Sequence, residues 1–353
     1  MKIHAFQCVA CQQQHPTQLH QCTCGAPLRV LYTSKPRATW QQIRKHQAGH
    51  WRYAPFLPDV ARRISLDEGH TPLVTDGRLH FKLEGCNPTG SFKDRGTTVE
   101  ISLANRPVVC ATTGNMGASV AAYCAQAKLP CTIVLPRNTP LQKKKQISIY
   151  GARVHTVPGH YTHAVEQARH IAERTQAYLA GDYALRREGE KTVAYEILDQ
   201  LDYTPDRIIC PMGNGTLVSA VWQGLLDFKR AGLIRQLSQL IGVQASGCAP
   251  IATAYRTGKG LRAVHPHTIA SAVACGDPLD GLLALRAIKE SCGAIFTISD
   301  ADIIRARHAM AREYGIDAEP AGVLPYAALQ RLKGNKQTVL VITGNGMKDL
   351  KHV

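Results

Sequence analysis

The strongest constraint on the fold is an alternation of short apolar segments with helical segments along most of the chain. Strands are predicted at 81–84, 107–111, 131–135, 153–157, 207–210, 241–244 and 338–342, and helices at 117–128, 140–150, 158–176 and 216–229. Short apolar strands that alternate with helices are typical of parallel sheets covered on both faces. The pattern therefore predicts an α/β protein built on two parallel sheets.

Length and composition narrow the class further. The 353 residues are 44% hydrophobic, which is ample for a buried core and favours roughly two domains. The chain starts without an apolar leader and has no run of about 18 apolar residues, so we expect a soluble, cytoplasmic protein that does not contact membranes.

The formal net charge of +16 favours an anionic partner. The basic residues are scattered, and the longest run, at 143–145, fits a solvated helix face. No basic tail or aromatic-interleaved RNA motif is present, so small anions such as phosphates and carboxylates are favoured over nucleic acid.

One lysine has an unusual setting. Lys93 lies in the segment Gly-Ser-Phe-Lys-Asp-Arg-Gly, directly after a turn-forming Asn-Pro-Thr-Gly. A lysine that attacks an aldehyde must lose its proton, and burial lowers the pKa of an amine toward neutrality. The segment alone also fits an ordinary helix start with a solvated lysine.

Two glycine-rich turns follow predicted strands and open predicted helices, where parallel sheets place their ligands. The first runs from Thr112 to Ser119 and contains Thr113 and Asn115, which suit a carboxylate. The second, Pro-Met-Gly-Asn-Gly-Thr at 211–216, suits a phosphate held by backbone amides and a helix dipole. Such connections favour Gly and Asn in any case, so each turn alone is weak.

No Walker lysine motif and no GxGxxG occurs, which disfavours nucleotide binding. A reactive lysine, a carboxylate turn and a phosphate loop together match what pyridoxal phosphate requires: an imine partner, a substrate clamp and an anion site.

A cysteine cluster stands apart at residues 1–34. Cys8, Cys11, Cys22 and Cys24 form two knuckles that could supply four thiolates to a structural zinc ion. The second knuckle is tighter than the usual spacing, and four unbound thiols are the alternative. The other eight cysteines are dispersed and predict reduced thiols rather than disulfides.

The sequence resembles the fold-type II pyridoxal-phosphate enzymes, and specifically the threonine synthases, over nearly its whole length. The matching blocks, in family order, are Trp-Arg-Tyr at 51–53, Glu-Gly-His-Thr-Pro-Leu at 68–73, Asn-Pro-Thr-Gly-Ser-Phe-Lys-Asp-Arg at 87–95, Glu-Gly-Glu-Lys-Thr at 188–192, Thr-Ile-Ala at 268–270 and Thr-Gly-Asn-Gly-Met-Lys-Asp at 343–349. The N-terminal cysteine module is similar to one that precedes many archaeal and bacterial members.

The resemblance implies a role for each matching residue. Lys93 would bind the cofactor, Phe92 would pack near its ring, Asn115 would bond its ring hydroxyl and Thr343 would face its pyridine nitrogen. The following would hold the cofactor phosphate: Gly213, Asn214, Gly215 and Thr216. The following would bind substrate: Thr112, Thr113, Arg186 and Lys191.

The resemblance also implies a reaction and an organisation. O-Phosphohomoserine and water would yield L-threonine and phosphate by γ-elimination and β-addition. A cysteine module (1–34) would precede a large cofactor-binding domain (35–86 and 181–353) with a smaller α/β domain (87–180) inserted. Dimers are common in the family, so a homodimer is an expected assembly.

One stretch departs from the family pattern. Threonine synthases usually carry Asn-Ser-x-Asn-Pro-x-Arg, which helps hold the substrate phosphate, where this chain has Ala-Gly-Asp-Tyr-Ala-Leu-Arg at 180–186. Asp182 adds a negative charge beside the expected dianion, which weakens phosphate binding.

Two alternatives therefore stay open. The first is β-replacement or β-elimination on serine, phosphoserine or a related amino acid, as in cysteate synthases and dehydratases. The second is a zinc-ribbon nucleic-acid-binding or regulatory protein that retains an inactive enzyme fold.

Overall fold

The chain folds around three sheets. A computed structural model describes residues 1–16 and 19–350. The strands are β1 Ile3–Cys8, β2 Gln14–His15, β3 Leu28–Tyr32, β4 Leu73–Asp76, β5 Leu79–Leu83, β6 Val108–Ala111, β7 Cys131–Pro136, β8 Arg153–Val157, β9 Tyr178–Ala180, β10 Arg207–Pro211, β11 Gln239–Ala245, β12 Ala294–Ile298 and β13 Thr338–Ile342.

The helices cover both larger sheets. They are α1 Trp40–Arg44, α2 Lys93–Leu103, α3 Asn115–Ala127, α4 Leu141–Ile149, α5 Tyr161–Thr175, α6 Ala184–Glu190, α7 Thr192–Leu201, α8 Thr216–Arg230, α9 Pro250–Thr257, α10 Gly281–Glu290, α11 Asp300–Tyr314 and α12 Pro320–Leu329. Within the described ranges 1–16 and 19–350, no helix combines the length and apolar character needed to cross a bilayer.

The largest sheet has six strands in the order β12-β11-β10-β13-β5-β4. All neighbours are parallel except β4, which pairs antiparallel with β5. A parallel sheet was expected, and β4 differs because only Gly77 and Arg78 separate it from β5, which is a hairpin connection. Gly77 has a φ of 57°, which such tight turns require.

Both faces of this sheet are buried, as the apolar strand pattern predicts. Ile208 and Cys210 of β10 contact the core on the side of α7, α8 and α10, whereas Ile209 between them contacts the core on the side of α11 and α12. Consecutive strand residues point to opposite faces, so both sets of neighbours must be apolar.

The second parallel sheet has the order β8-β7-β6-β9 and lies within the region predicted as a smaller domain. Its faces are covered by α3 on one side and by α5 on the other. The six-stranded sheet draws its strands from 73–83 and 207–342. The α/β class with two parallel sheets is confirmed; the domain boundaries at 34, 86 and 180 stay predictions.

The third sheet, β2-β1-β3, is antiparallel and belongs to the N-terminal module. Its apolar residues, including Phe6, Val9 and Leu28, pack against Ala184 and Leu185 of α6. The module therefore packs against the short helix α6.

Candidate active site

Lys93 begins helix α2, and three groups fix the loop before it. Gly90 closes a turn with a φ of 84°, its N–H donating to the Asn87 carbonyl at 2.8 Å. Asp94 accepts hydrogen bonds from the backbone N–H and the hydroxyl of Thr89, both at 2.7 Å. Lys348 donates to the Thr89 carbonyl at 2.6 Å. The loop therefore holds Lys93 in one place before any ligand binds.

Arg95 ties the same helix to the six-stranded sheet. Its guanidinium is fully buried and donates to Glu84 at 2.7 Å and to Glu196 at 2.8 Å. Glu84 follows β5 and Glu196 lies on α7, so the ion pairs join three elements. Three consecutive residues thus have three tasks: Lys93 faces a cavity, Asp94 fixes the loop and Arg95 anchors the helix.

The cavity lies where the carboxyl ends of β6, β10 and β13 meet, as the topology of parallel sheets predicts. Its lining includes Phe92, Lys93, Thr112, Thr113, Asn115, Asp182, Gly213, Asn214, Gly215, Thr216, Glu319 and Thr343. All the residues predicted to bind the cofactor therefore line this cavity. Thr112 and Thr113, predicted to bind substrate, also line it.

The loop at 213–216 leads into α8 with its helix start uncapped. Gly215 is the N-cap with a φ of 91° and no side-chain hydrogen bond to the first turn. A Cβ at Gly215 would lie 2.8 Å from the Ala284 side chain, and one at Gly213 would lie 2.9 Å from the Val273 Cα. Only glycine fits at both positions, and the first N–H groups of a 15-residue helix stay available to an anion.

The loop after β6 is organised by Thr112, whose hydroxyl accepts hydrogen bonds from the N–H groups of Gly114 at 2.8 Å and Gly117 at 3.0 Å. Asn115 begins α3, and its side-chain nitrogen donates to Glu319. Its side-chain oxygen is buried and has no hydrogen-bond partner among the described residues. A ligand that donates a hydroxyl would satisfy that oxygen.

Two carboxylates surround the Lys93 amine. Lys93 Nζ donates to Asp182 Oδ1 at 2.7 Å, and Glu190 Oε1 lies 3.6 Å away. Burial lowers the pKa of Lys93, but Asp182 and Glu190 outweigh it and hold that pKa above its ordinary value. The expectation of a lowered pKa is wrong, because it considered burial without the two carboxylates.

Arg186 and Lys191, also predicted to bind substrate, do not line the cavity. Arg186 is fully buried and pairs with Glu100. Lys191 pairs with Glu188 at 2.6 Å and Asp227 at 2.9 Å, behind α6. Both cations are held by carboxylates of their own, which accounts for their position away from the cavity.

Two acidic residues at the site were not singled out from the sequence. Glu319 precedes α12 and bonds both Asn115 and Lys143, the latter at 3.0 Å. Glu190 ends α6 beside Lys93. A usable signal for Glu190 was its place four residues after Arg186, a spacing that puts both charges on one face of α6.

The cysteine module brings its four sulfurs together. The Sγ atoms of Cys8 and Cys24 are 3.5 Å apart, those of Cys11 and Cys22 are 3.6 Å apart, and all four lie within 4.8 Å of one another. Four thiolates around a zinc ion at about 2.3 Å stand roughly 3.8 Å apart. The geometry therefore fits a tetrahedral ion with no position left for substrate.

The site fits pyridoxal phosphate on three counts. Lys93 reaches the cavity, the glycine loop offers an uncapped helix start to a phosphate, and Asn115 has an unsatisfied buried oxygen. These are the features of a site for a phosphorylated aldehyde with a ring hydroxyl. The fold and the site together define a pyridoxal-phosphate enzyme.

Comparison with known proteins agrees. The family model described as pyridoxal-phosphate dependent enzyme matches residues 64–344. Threonine synthase of Methanocaldococcus jannaschii is 36% identical, covering 97% of this chain and 92% of its own. Threonine synthase of Methanosarcina acetivorans is 34% identical, covering 98% and 93%. The chain therefore belongs to the pyridoxal-phosphate-dependent enzymes and, within them, to the threonine synthase family: it is a threonine synthase-like lyase.

Solved structures confirm the fold alone. A fungal L-serine ammonia-lyase from Rhizomucor miehei superposes with a TM-score of 0.69 at 22% identity, covering 80% of this chain and 98% of its own. Maize serine racemase superposes with a TM-score of 0.70 at 22% identity, covering 89% and 94%.

Proposed function

We propose that this protein converts O-phosphohomoserine and water to L-threonine and phosphate, with pyridoxal 5'-phosphate bound at Lys93. The observation that carries the proposal is that Lys93 Nζ lies in a cavity walled by the loops after β6, β10 and β13. The threonine synthases named above match more than nine-tenths of their length and of this chain, which supports the same reaction.

The residues that would hold the cofactor are those of the cavity wall. The loop 213–216 would take its phosphate, Asn115 its ring hydroxyl, Thr343 its pyridine nitrogen and Phe92 one face of its ring. A neutral hydroxyl at Thr343 leaves that nitrogen unprotonated. When bound, pyridoxal phosphate accepts the electron pair that remains when a C–H bond of the amino acid breaks.

The chain's own residues then bind the substrate and move its protons. Thr112 holds the start of α3 so that the adjacent backbone and Thr113 can take the substrate carboxylate. Lys93 Nζ removes protons from the α and β carbons as the general base. Phosphate leaves from the γ carbon, water adds at the β carbon and threonine is released. Arg186 supports this geometry indirectly, since it donates to the Lys93 carbonyl at 3.3 Å.

A second candidate is favoured by Asp182. Among the described residues that line the cavity, the charged ones are Lys93, Asp182 and Glu319, and each already has an oppositely charged partner. A phosphate dianion therefore meets no unpaired cation there, whereas serine or a similar neutral side chain needs none. β-Elimination or β-replacement on such an amino acid is the alternative reaction.

A product panel separates these functions. The purified holoenzyme is incubated with O-phosphohomoserine, phosphoserine, serine and threonine, and phosphate, threonine, keto acid and ammonia are measured. Threonine and phosphate from O-phosphohomoserine alone support the proposed function. A keto acid or a β-substituted alanine from serine derivatives selects the alternative. A colourless protein that borohydride does not alter contradicts both and leaves an inactive fold.

We also propose that the cysteine module holds a structural zinc ion. The close approach of the sulfurs of Cys8, Cys11, Cys22 and Cys24 supports this. Two further N–H groups, of Ala10 and Cys11, donate to Cys8 Sγ at 3.4 Å, as in a metal-binding knuckle.

We also propose a cytoplasmic location, which a biosynthetic role on a small anionic amino acid supports.

A further inference from the structure

Glu190 is a buried carboxyl group that the reaction described above does not use. It is 0% exposed, and neither of its oxygens has a hydrogen-bond partner among the described residues. A buried carboxylate without hydrogen bonds is costly, so its presence calls for a reason. Its nearest charged neighbour is the amine of Lys93, 3.6 Å from Oε1.

The fold brings Glu190 to that amine through a close helix crossing. A Cβ at Gly189 would lie 2.0 Å from the Arg95 carbonyl oxygen, and one at Gly96 would lie 3.2 Å from the Glu190 side chain. Helices α2 and α6 therefore touch backbone to backbone at two glycines. The crossing places the last residue of α6 beside the first residue of α2.

Four charged groups face the Glu190 carboxyl. Lys93 comes from α2, Asp182 from the loop before α6, Arg186 from α6 itself and Asp280 from the segment before α10. Burial raises the pKa of Glu190 to about 7, with Lys93 and Arg186 opposing that shift and the two aspartates adding to it.

Asp182, the other carboxyl group beside Lys93, has its pKa shifted in the opposite direction. Burial works to raise its pKa, but Lys93 and Arg186 prevail and hold it below the ordinary value. Asp182 also accepts a hydrogen bond from Asn214 at 3.4 Å, whereas Glu190 accepts none from the residues that the structure describes. Two carboxyl groups lie beside one amine: Asp182 is kept ionised, and Glu190 has a pKa near neutrality, so that it can both accept and release a proton. This arrangement separates a charge stabiliser from an acid–base group.

We propose that Glu190 is the proton acceptor and donor for Lys93, a positioning residue that sets how much of the lysine is the free amine. The Nζ–H bond of the Lys93 ammonium breaks, an O–H bond forms on Glu190, and the neutral amine and neutral carboxylic acid remain. No co-reactant is needed, and Asp182 stays ionised throughout. The inference rests on the proposed function only in that Lys93 is the reacting amine.

The geometry suits this transfer. A separation of 3.6 Å is longer than a hydrogen bond, but such contacts often tighten when ligands bind. Lys93 is held as an ammonium by two carboxylates, so it requires an acceptor before it can attack an aldehyde. Solvent is a poor candidate, since the Lys93 side chain is only 15% exposed and Glu190 is enclosed.

The test measures imine formation without any substrate. Cofactor-free protein is mixed with pyridoxal 5'-phosphate between pH 5.5 and 9 (roughly two units about the neutral point), and the rate is followed by absorbance. The wild type is expected to show an inflection near pH 7. Glu190→Gln, of equal shape, is expected to lose that inflection and to react at least about tenfold more slowly near neutrality.

Three further variants make the result decisive. Asp182→Asn should keep an inflection, because Glu190 is still present, but at a lower pH, because Asp182 contributes to the raised pKa of Glu190. Glu173→Gln removes an exposed carboxylate on α5 and should match the wild type throughout. If Glu190→Gln does not fold, Glu190→Asp should retain the inflection but react more slowly, because its carboxyl is withdrawn from Nζ.

The inference is overturned if Glu190→Gln, folded by circular dichroism, follows the wild-type pH profile. It is also overturned if the inflection disappears in Asp182→Asn but not in Glu190→Gln, or if Glu190→Asp reacts as fast as the wild type. These outcomes are distinct from failure of the proposed function, in which no imine forms in the wild type, or one forms and O-phosphohomoserine is not turned over.

Discussion

The loops after β6, β10 and β13 line the cavity, and helix α6 lies beside it with Glu190 next to Lys93, but the two regions are positioned by different forces. The loops depend on backbone geometry: Gly215 at a φ of 91°, Gly114 at 139° and a Thr112 hydroxyl that organises two N–H groups. Helix α6 depends on buried ion pairs, such as Arg186 with Glu100 and Arg187 with Asp280.

The difference explains what each region is suited for. Glycine loops with uncapped N–H groups present the same anion site whatever amino acid is bound, which suits a cofactor. The charged residues at and before α6, which are Asp182, Arg186 and Glu190, can be altered one residue at a time. The loops are thus suited to hold the cofactor, and the charged residues at and before α6 are suited to set the charge state of Lys93.

Lys93 lies between the loops and α6, and its removal should have the largest effect. Lys93→Ala should lower turnover at least about a thousandfold while far-ultraviolet circular dichroism stays native, because the general base is lost. Activity and the visible spectrum check this. Substantial turnover in the variant would refute the assignment of Lys93.

The next largest effect should come from the phosphate loop. Gly215→Ala should weaken cofactor binding by roughly ten- to a hundredfold, because a Cβ there meets Ala284 and the φ is unsuitable. Gly232→Ala is the matched control: its φ is 76°, but a Cβ there contacts nothing within 4 Å. Titration of both apoproteins with pyridoxal phosphate measures the difference, and equal losses would mean that backbone strain alone is responsible.

The buried acid on α6 should give the cofactor-free protein a specific pH dependence. Because burial raises the pKa of Glu190 to about 7 from 4.5 in the unfolded chain, the folded state holds the extra proton between these values. Its contribution to stability is therefore complete below pH 4.5 and falls as pH rises toward 7.

Glu190→Gln should remove that slope. We expect the stability difference between variant and wild type to change by on the order of 2 kcal/mol in favour of the variant between pH 5 and pH 8. Urea unfolding at both pH values measures it. A difference that does not vary with pH would show that Glu190 ionises as it does in the unfolded chain.

Asp182→Asn tests whether the negative charge of Asp182 weakens binding of a phosphorylated substrate. If O-phosphohomoserine is the substrate, removal of a carboxylate beside its phosphate should lower KM about tenfold and leave KM for serine unchanged. Glu173→Gln is again the control for net charge. A rise in KM for both substrates would indicate that Asp182 serves only to position Lys93.

The smallest effect on chemistry should follow metal removal. Chelation, or Cys8→Ser, should lower the melting temperature by several degrees and change turnover little, since a four-thiolate site has no open position for substrate. Bound zinc measured by mass spectrometry, together with thermal melts, checks this. An unchanged melt after complete zinc loss would count against a structural metal.

Much of the fold could be predicted because its signals are local. Strands β6, β7, β10 and β13 fall within two residues of the predicted ranges, since each is a short apolar run between turn residues. Strand β9 was missed because three residues are too few for a pattern. Strand β12, Ala294–Ile298, was missed although it is a short apolar run of the same kind, Ala-Ile-Phe-Thr-Ile.

The residues of the site also fall into two groups: those with local signals and those whose positions depend on residues far away in the sequence. The cofactor loops could be predicted from glycines and asparagines that are contiguous in sequence. The environment of Lys93 could not, because its partner Asp182 lies 89 positions away and Asn115 meets Glu319 at a separation of 204. Burial of Lys93 was foreseen, but the sign of its pKa shift depends on those distant carboxylates.

The most direct test of the account is to find which residue carries the cofactor. The holoenzyme is reduced with borohydride, digested and analysed by mass spectrometry. The account predicts a phosphopyridoxyl adduct on the peptide that contains Lys93 and a protein that is permanently inactive. An adduct on another lysine, such as Lys143 or Lys348, or no adduct at all, would contradict it.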